Sequence, residues 1–220
     1  VDLLFLLGVI ATSATGLGFG TAIVSSSISE LTSIQEGLGL QIAIIAVVTI
    51  LICTSVYRGL DKGILFFSNI NAGLALVFIT FVLFVGPTLF ILEMGITTLG
   101  SVLREFITML LWTDPLQKSD FVESWTVFYW AWWLAMGPFV GMFICKISKG
   151  RSVRQVVFGM LLYGSAGCCM FFIILGGYAL HAELFGLYPV VENALDTSPS
   201  AAIAGLVKFL PAGSFWLCYL

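Results

Sequence analysis

Apolar runs of bilayer length recur along this chain, and few folds can accommodate them. They lie at roughly 1–25, 39–57, 64–94, 125–147 and 153–180, each near or above the about 20 residues that an α-helix needs to cross a hydrocarbon core. Such blocks are too long and unbroken for a soluble core, and barrel strands show about ten residues of alternation instead. The composition agrees, with 60% of residues hydrophobic, 10% charged and a mean hydropathy of +1.09. The expected fold class is therefore all-α, a polytopic transmembrane helix bundle forming one domain over 1–220. A further run opens near Ala212, and the chain starts at Val1 within an apolar run and without a signal peptide, so more polypeptide is expected on both sides.

Loop charges set the expected orientation. Arg58 and Lys62 follow the second run, and Lys146, Lys149, Arg151 and Arg154 separate the fourth from the fifth, so six of the nine basic residues fall in two loops. By the positive-inside rule these loops face the cytoplasm, and the first span runs from inside to outside. Arg104, Lys118 and Lys208 are the sparse basic residues of the outward loops. The net charge of −3 adds little, and nothing supports a nucleic-acid partner. In one outward loop Leu99, Val102, Leu103, Phe106, Met109 and Leu110 recur at three- and four-residue spacing. That pattern predicts an amphipathic interfacial helix over about 96–112, closed by Asp114-Pro115. A shorter helix is predicted over Pro199 to Leu210.

The stretch from Ser124 to Arg154, SWTVFYWAWWLAMGPFVGMFICKISKGRSVR, places four tryptophans in one span. At 100° per residue, Trp125, Tyr129, Trp132, Met136, Phe139 and Phe143 share a face, with Trp133 on its shoulder and Trp130 on the far side. Ring faces can hold a cation that has no N–H donors, such as a quaternary ammonium group. Trp125 and Tyr129 also suit an interfacial belt, while the deeper Trp132 and Trp133 suit either ligand binding or helix packing. Gly137-Pro138 near mid-span predicts a bend or local opening, an irregularity that marks transporter sites at this depth.

Other runs carry fewer signals. In the first, Ser13, Gly16 and Gly20 share a face with Val9; small residues at this spacing let helices approach closely, and the Ser13 hydroxyl could offer oxygen to a small hard cation. GLGFG from Gly16 to Gly20 is not a nucleotide loop, because no strand precedes it. The third run has Ser68, Asn69 and Asn71 near its cytoplasmic end and an expected bend at Gly86-Pro87. His181 has no second His or Cys at ligand spacing, the five cysteines sit in or beside apolar runs, and the acids lack a nearby base. These absences point away from an enzyme and from a His/Cys metal centre.

The string SWTVFYWAWWLAMGPFVGMFICKISKGRSVRQ resembles the signature segment of the betaine/carnitine/choline transporter (BCCT) family. VDLLFLLG, GLGFG, RGLDKGILFFSNIN and VGPTLFIL extend the resemblance along the 220 residues. The family pattern has twelve spans, and this chain is similar to spans five to nine plus the start of ten. The resemblance implies a secondary carrier of the inner (plasma) membrane with the LeuT-like inverted-repeat fold, assembled as a homotrimer among membrane lipid. It implies that Trp133 is the aromatic-box residue of its helix, with Trp132 beside it and Phe139 lining the region between substrate and ion. Met136 stands where sodium-coupled betaine carriers have a further tryptophan. Val9 and Ser13 stand where those carriers have two threonines near a sodium site, so one oxygen is lost and Ser13 remains. Asn71 stands where sodium-independent carnitine exchangers have an arginine.

The function so implied is ion-coupled symport of an onium compound for osmolyte uptake: glycine betaine, choline, carnitine or a sulfonium analogue. Sodium or a proton is the coupling ion, and no cofactor is expected. A carnitine-type exchanger and a non-transporting onium-binding sensor are the alternatives.

Overall fold

The computed structural model describes residues 2–32, 34–57, 65–116, 120–211 and 213–217. Arg58, Lys62, Lys118 and Ala212, named above, lie outside the described residues. Within them the regular elements are helices: α1 (Asp2–Thr32), α2 (Leu38–Tyr57), α3 (Leu65–Val85), α4 (Thr88–Leu110), α5 (Val122–Ile147), α6 (Val153–Leu184), α7 (Val190–Asp196), α8 (Pro199–Lys208) and α9 (Gly213–Leu217). Stretches of α1, α2, α3, α5 and α6 are long and apolar enough to cross a membrane. A helix satisfies its own backbone polar groups, which is what a lipid environment demands. The hydroxyls within α1 follow the same logic: Thr12 donates to the Gly8 carbonyl at 2.7 Å, Thr21 to Leu17 at 2.7 Å and Ser27 to Ile23 at 2.9 Å.

The third apolar run does not reach residue 94 as one helix. Pro87 has no N–H and its ring clashes with the preceding turn, so α3 stops at Val85. Local bonds complete the break: the Gly86 N–H donates to Val82 at 2.9 Å and the Thr88 hydroxyl to Leu83 at 2.6 Å. α4 then opens with the Ile91 N–H donating to the Pro87 carbonyl at 3.0 Å. The boundary drawn at 94–96 from hydropathy therefore falls inside α4, and the amphipathic stretch is the continuation of a helix begun at Thr88. α4 ends at Leu110, and Asp114 takes a positive φ of 45° ahead of Pro115, whose ring disfavours the helical region for the residue before it. Pro138 has the opposite outcome. α5 runs through it to Ile147 with no break, and its irregularity is a π-helical turn at Val122–Val127. Two more π-helical turns interrupt α6, at Met160–Gly164 and Phe172–Gly176.

Packing divides the chain into two compact units, 1–16 with 96–168 and 17–95 with 169–220. The second unit has a dense core in which Phe78, Ile79 and Val82 of α3 meet Ile91 of α4, Ile174 of α6, Ala204 and Val207 of α8 and Trp216 of α9. Trp216 lies 5.1 Å from the Phe78 ring centroid and 4.9 Å from that of Phe81. α4 and α6 approach so closely that a Cβ placed on Gly95 would stand 2.5 Å from Ile173 Cγ2.

α8 begins at a capped end, with the Ser198 hydroxyl accepting from the Ala201 N–H at 3.1 Å and Pro199 in the first turn. Its last residue, Lys208, reaches Glu30 of α1, Nζ to Oε2, at 2.8 Å. Tyr188, in the segment before α7, has its phenol pushed above the ordinary 10.0 chiefly by burial and secondly by the Glu30 carboxylate. A raised pKa favours the neutral phenol in the folded state, so its contribution to stability is full below pH 10.0 and is lost as pH rises through the higher folded value. In a difference titration of phenolate absorbance, Glu30→Gln should lower the Tyr188 midpoint yet leave it above the ordinary value. An unchanged midpoint would exclude Glu30 as a cause.

Candidate functional site

Within the first unit, α5 carries the candidate aromatic residues. A π-helical turn holds more residues per turn than an α-helix, so Val122–Val127 offsets the start of the aromatic run. Across the junction Trp125 and Tyr129 stack, with centroids 6.2 Å apart and planes 22° from parallel. Phe128 lies 5.8 Å from Trp132.

The two deeper tryptophans then part company. Trp132 is partly buried and faces α1: a Cβ on Gly16 would meet its Cη2 at 3.5 Å, and a Cβ on Gly8 would meet the Ala135 Cβ at 3.8 Å. Gly8, the buried Thr12 and Gly16 recur every four residues, a small-residue stripe that lets α1 and α5 close. Close packing thus accounts for Gly16 but not for Gly18 or Gly20, at which an added Cβ would have nothing within 4 Å.

Trp133 is 62% exposed and turns the other way. With Tyr129 and Trp130 it lines a shallow concavity of about 400 Å³, within the usual size range of small-molecule sites. No Asp or Glu occurs in α5 after Glu123, so attraction for a cation in this concavity comes from ring faces. The structure therefore groups Trp133 with Trp130, which the sequence reading placed on the far side, and separates it from Trp132. The signal was the three- and four-residue spacing of Tyr129, Trp130 and Trp133.

Met136, Phe139 and Ser13 do not line this concavity. Met136 is partly buried, and Phe139 is 44% exposed one turn further along α5. Ser13 is exposed and its hydroxyl makes no hydrogen bond among the described residues, whereas its neighbours Thr12 and Thr15 donate to the Gly8 and Ala11 carbonyls at 2.7 and 2.9 Å. Among the described residues no group of three His, Cys, Asp or Glu could hold a metal ion. His181 packs between the rings of Phe90 and Phe185, with centroids 5.1 and 4.4 Å away. In the second unit, Asn71 lines a separate apolar cavity of about 460 Å³ with Ser55 and Ser68, between α2 and α3.

The profile of the family described as BCCT, betaine/carnitine/choline family transporter, matches residues 1–220. The chain is 33% identical to the carnitine transporter of Acinetobacter baumannii, over 99% of this chain and 40% of that protein. It is 35% identical to the ectoine/hydroxyectoine transporter of Virgibacillus pantothenticus, over 96% of this chain and 42% of the relative. It is also 34% identical to the high-affinity choline transport protein of Escherichia coli, over 98% of this chain and 32% of that protein. The chain thus spans from 32% to 42% of the length of these relatives. An all-helical chain with five membrane-length apolar helices, carrying the aromatic segment of α5 and matched by this profile from end to end, belongs to the betaine/carnitine/choline transporter family.

Proposed function

We propose that the chain forms part of a secondary active transporter that moves a small onium compound across the inner membrane by ion-coupled symport. The observation that carries this reading is the exposed aromatic group Tyr129, Trp130 and Trp133 around a concavity of about 400 Å³, in a membrane-length helix and with no carboxylate among its described lining residues. Ring faces in an apolar setting suit a permanently charged group that offers no N–H. Trp133 is the proposed box residue. Trp132 supports it by fixing α5 against α1, and Met136 and Phe139 extend the wall toward the ion. The names of the relatives make carnitine, choline and ectoine the first substrates to try, along with glycine betaine and a sulfonium analogue.

Ion coupling, by sodium or a proton, is favoured over cation-free exchange by Asn71. An asparagine carries no fixed charge that could replace a bound cation. The unpartnered Ser13 hydroxyl is the proposed oxygen ligand on α1, with Phe139 close to the ion path. The LeuT-like fold and a homotrimeric assembly, to which the exposed apolar stripe of Leu99, Val102, Leu103 and Phe106 on α4 would contribute, belong to the same proposal.

The test is uptake by the full-length protein in liposomes. Labelled carnitine, choline, glycine betaine or ectoine should accumulate above equilibrium when sodium or protons are higher outside. Accumulation of none of them under either gradient would sink the proposal, and uptake only into liposomes preloaded with substrate would make the protein an exchanger.

A further inference from the structure

The turn between α5 and α6 collects charge that no described acidic residue pairs with. No acidic residue occurs between Glu123 and Glu183, and the basic residues of that stretch are Lys146, Lys149, Arg151 and Arg154. None of the four forms an ion pair among the described residues. Arg154 rests over the Phe158 ring, 5.8 Å from its centroid.

The turn that carries these charges is held by its own backbone. The Ser148 N–H closes α5 on the Ile144 carbonyl at 2.9 Å, and the Arg151 N–H donates to the Ser148 carbonyl at 3.1 Å. Between them Gly150 takes a φ of 84°, which a side chain would resist. Ser152 and Gln155 then cap α6 reciprocally, with N···O distances of 3.3 and 3.0 Å. The cations are thus presented on a fixed scaffold.

Beside this turn lies a cleft of about 410 Å³ whose lining changes character along its length. Ser148, Arg151 and Gln155 line it at the turn, and Ile147, Val156 and Met160 line its apolar wall. A charged mouth above an apolar wall, at the end of two membrane-length helices, follows the order of a phospholipid. The cavity between α2 and α3 lacks this order, since its described lining holds no charged residue.

We infer that the cleft binds an anionic phospholipid, with Arg151 of its lining at the phosphate, Lys149 two residues earlier in the same turn adding positive charge, and an acyl chain along Ile147, Val156 and Met160. A guanidinium can hold a phosphate through two parallel N–H bonds, and a lysine adds a point charge. By the positive-inside rule the site faces the cytoplasmic leaflet, where anionic lipid is a local ligand.

Retained lipid decides the matter. Full-length protein would be extracted from membranes of equal phosphatidylglycerol and phosphatidylcholine, and its bound lipid counted by native mass spectrometry. Phosphatidylglycerol should be enriched in the unaltered protein. The enrichment should fall about fivefold for each charge removed in Lys149→Gln and Arg151→Gln, and by more in the double variant. Arg151→Lys should keep most of it, and Arg104→Gln, on α4, should leave it unchanged.

Gly159→Leu tests the apolar wall without touching a charge. A Cβ there would meet only Tyr163, at 4.0 Å, so the larger side chain has room to enter the cleft and should displace the acyl chain. Equal retention of both lipids, an enrichment indifferent to these variants, or full displacement by soluble glycerol phosphate would each overturn the inference, the last by making this a plain anion site. Should the double variant fail to fold, the single variants and Gly159→Leu still decide. The readout does not depend on transport, so a failed uptake assay leaves it interpretable.

Discussion

Trp133→Leu in the full-length protein should weaken binding of a quaternary ammonium solute such as choline about tenfold, measured by equilibrium binding to purified protein. Leucine keeps an apolar surface at that position but has no ring face. A cation over a tryptophan face gains about 0.5–2 kcal/mol, and about 1.4 kcal/mol is tenfold in affinity. Trp133→Phe should recover part of the loss. Trp132→Leu offers the contrast, because that ring is partly buried and packs at the site of Gly16. Removing it opens a gap between α1 and α5, so thermal stability should fall by about 2 kcal/mol while much of the affinity survives. Unchanged affinity in Trp133→Leu would take Trp133 out of the site, and equal losses of affinity in both variants would restore Trp132 as a direct contact.

Gly95→Leu should destabilise the protein by about 2 kcal/mol or more, read as a lowered melting temperature of purified full-length protein. Two effects compete. Replacing a mid-helix glycine improves helix propensity by about 0.8–1 kcal/mol. Against this, a Cβ at Gly95 would sit 2.5 Å from Ile173 Cγ2 in a filled interface, and overpacking costs about 1–3 kcal/mol before the rest of the leucine is added. The steric term wins. Gly100→Leu on the same helix isolates the other effect, since an added Cβ there would have nothing within 4 Å and the substitution should be neutral or stabilising. Equal melting of the two variants would mean that α4 and α6 are not in this contact.

Helix ends were most legible where apolar sequence gives way abruptly to charge or glycine. The expected 39–57, 125–147 and 153–180 became Leu38–Tyr57, Val122–Ile147 and Val153–Leu184. The two Gly-Pro pairs were also visible, but not their consequences. At Pro87 the Thr88 hydroxyl takes up the Leu83 carbonyl, so the chain can abandon one helix and start another. At Pro138 the helix continues. Hydropathy does not register hydroxyl capture of this kind, and it stays high across the break, which is why the boundary was drawn near 94.

The aromatic concavity was legible to the helix and not to the face. Spacing puts Trp132 on the face of Trp125 with Trp133 on its shoulder but assigns neither to packing, and the approach of Gly16 shows that Trp132 is the one so committed. Taking Trp125 as the centre of the face set Trp130 apart. With Trp133 as centre, Tyr129 stands about 40° and Trp130 about 60° away, which is the grouping observed around the concavity. The proposed ion ligand is less legible, because one hydroxyl at Ser13 would need partners from elsewhere to make a coordination shell.

The contact between Glu30 and Lys208 makes the seam between α1 and α8 sensitive to ionic strength. Its side chains are 39% and 50% exposed, so it contributes about 0–1 kcal/mol in dilute buffer. At about 1 M salt the screening length shrinks to roughly 3 Å, and most of that contribution disappears. The apolar part of the seam, where Leu31 packs against the cluster containing Ala204, Val207 and Leu210, depends on no such attraction and persists. The bathing electrolyte therefore grades how firmly α8 is tied to the end of α1, from a doubly fastened state in fresh water to one held by hydrocarbon alone in brine.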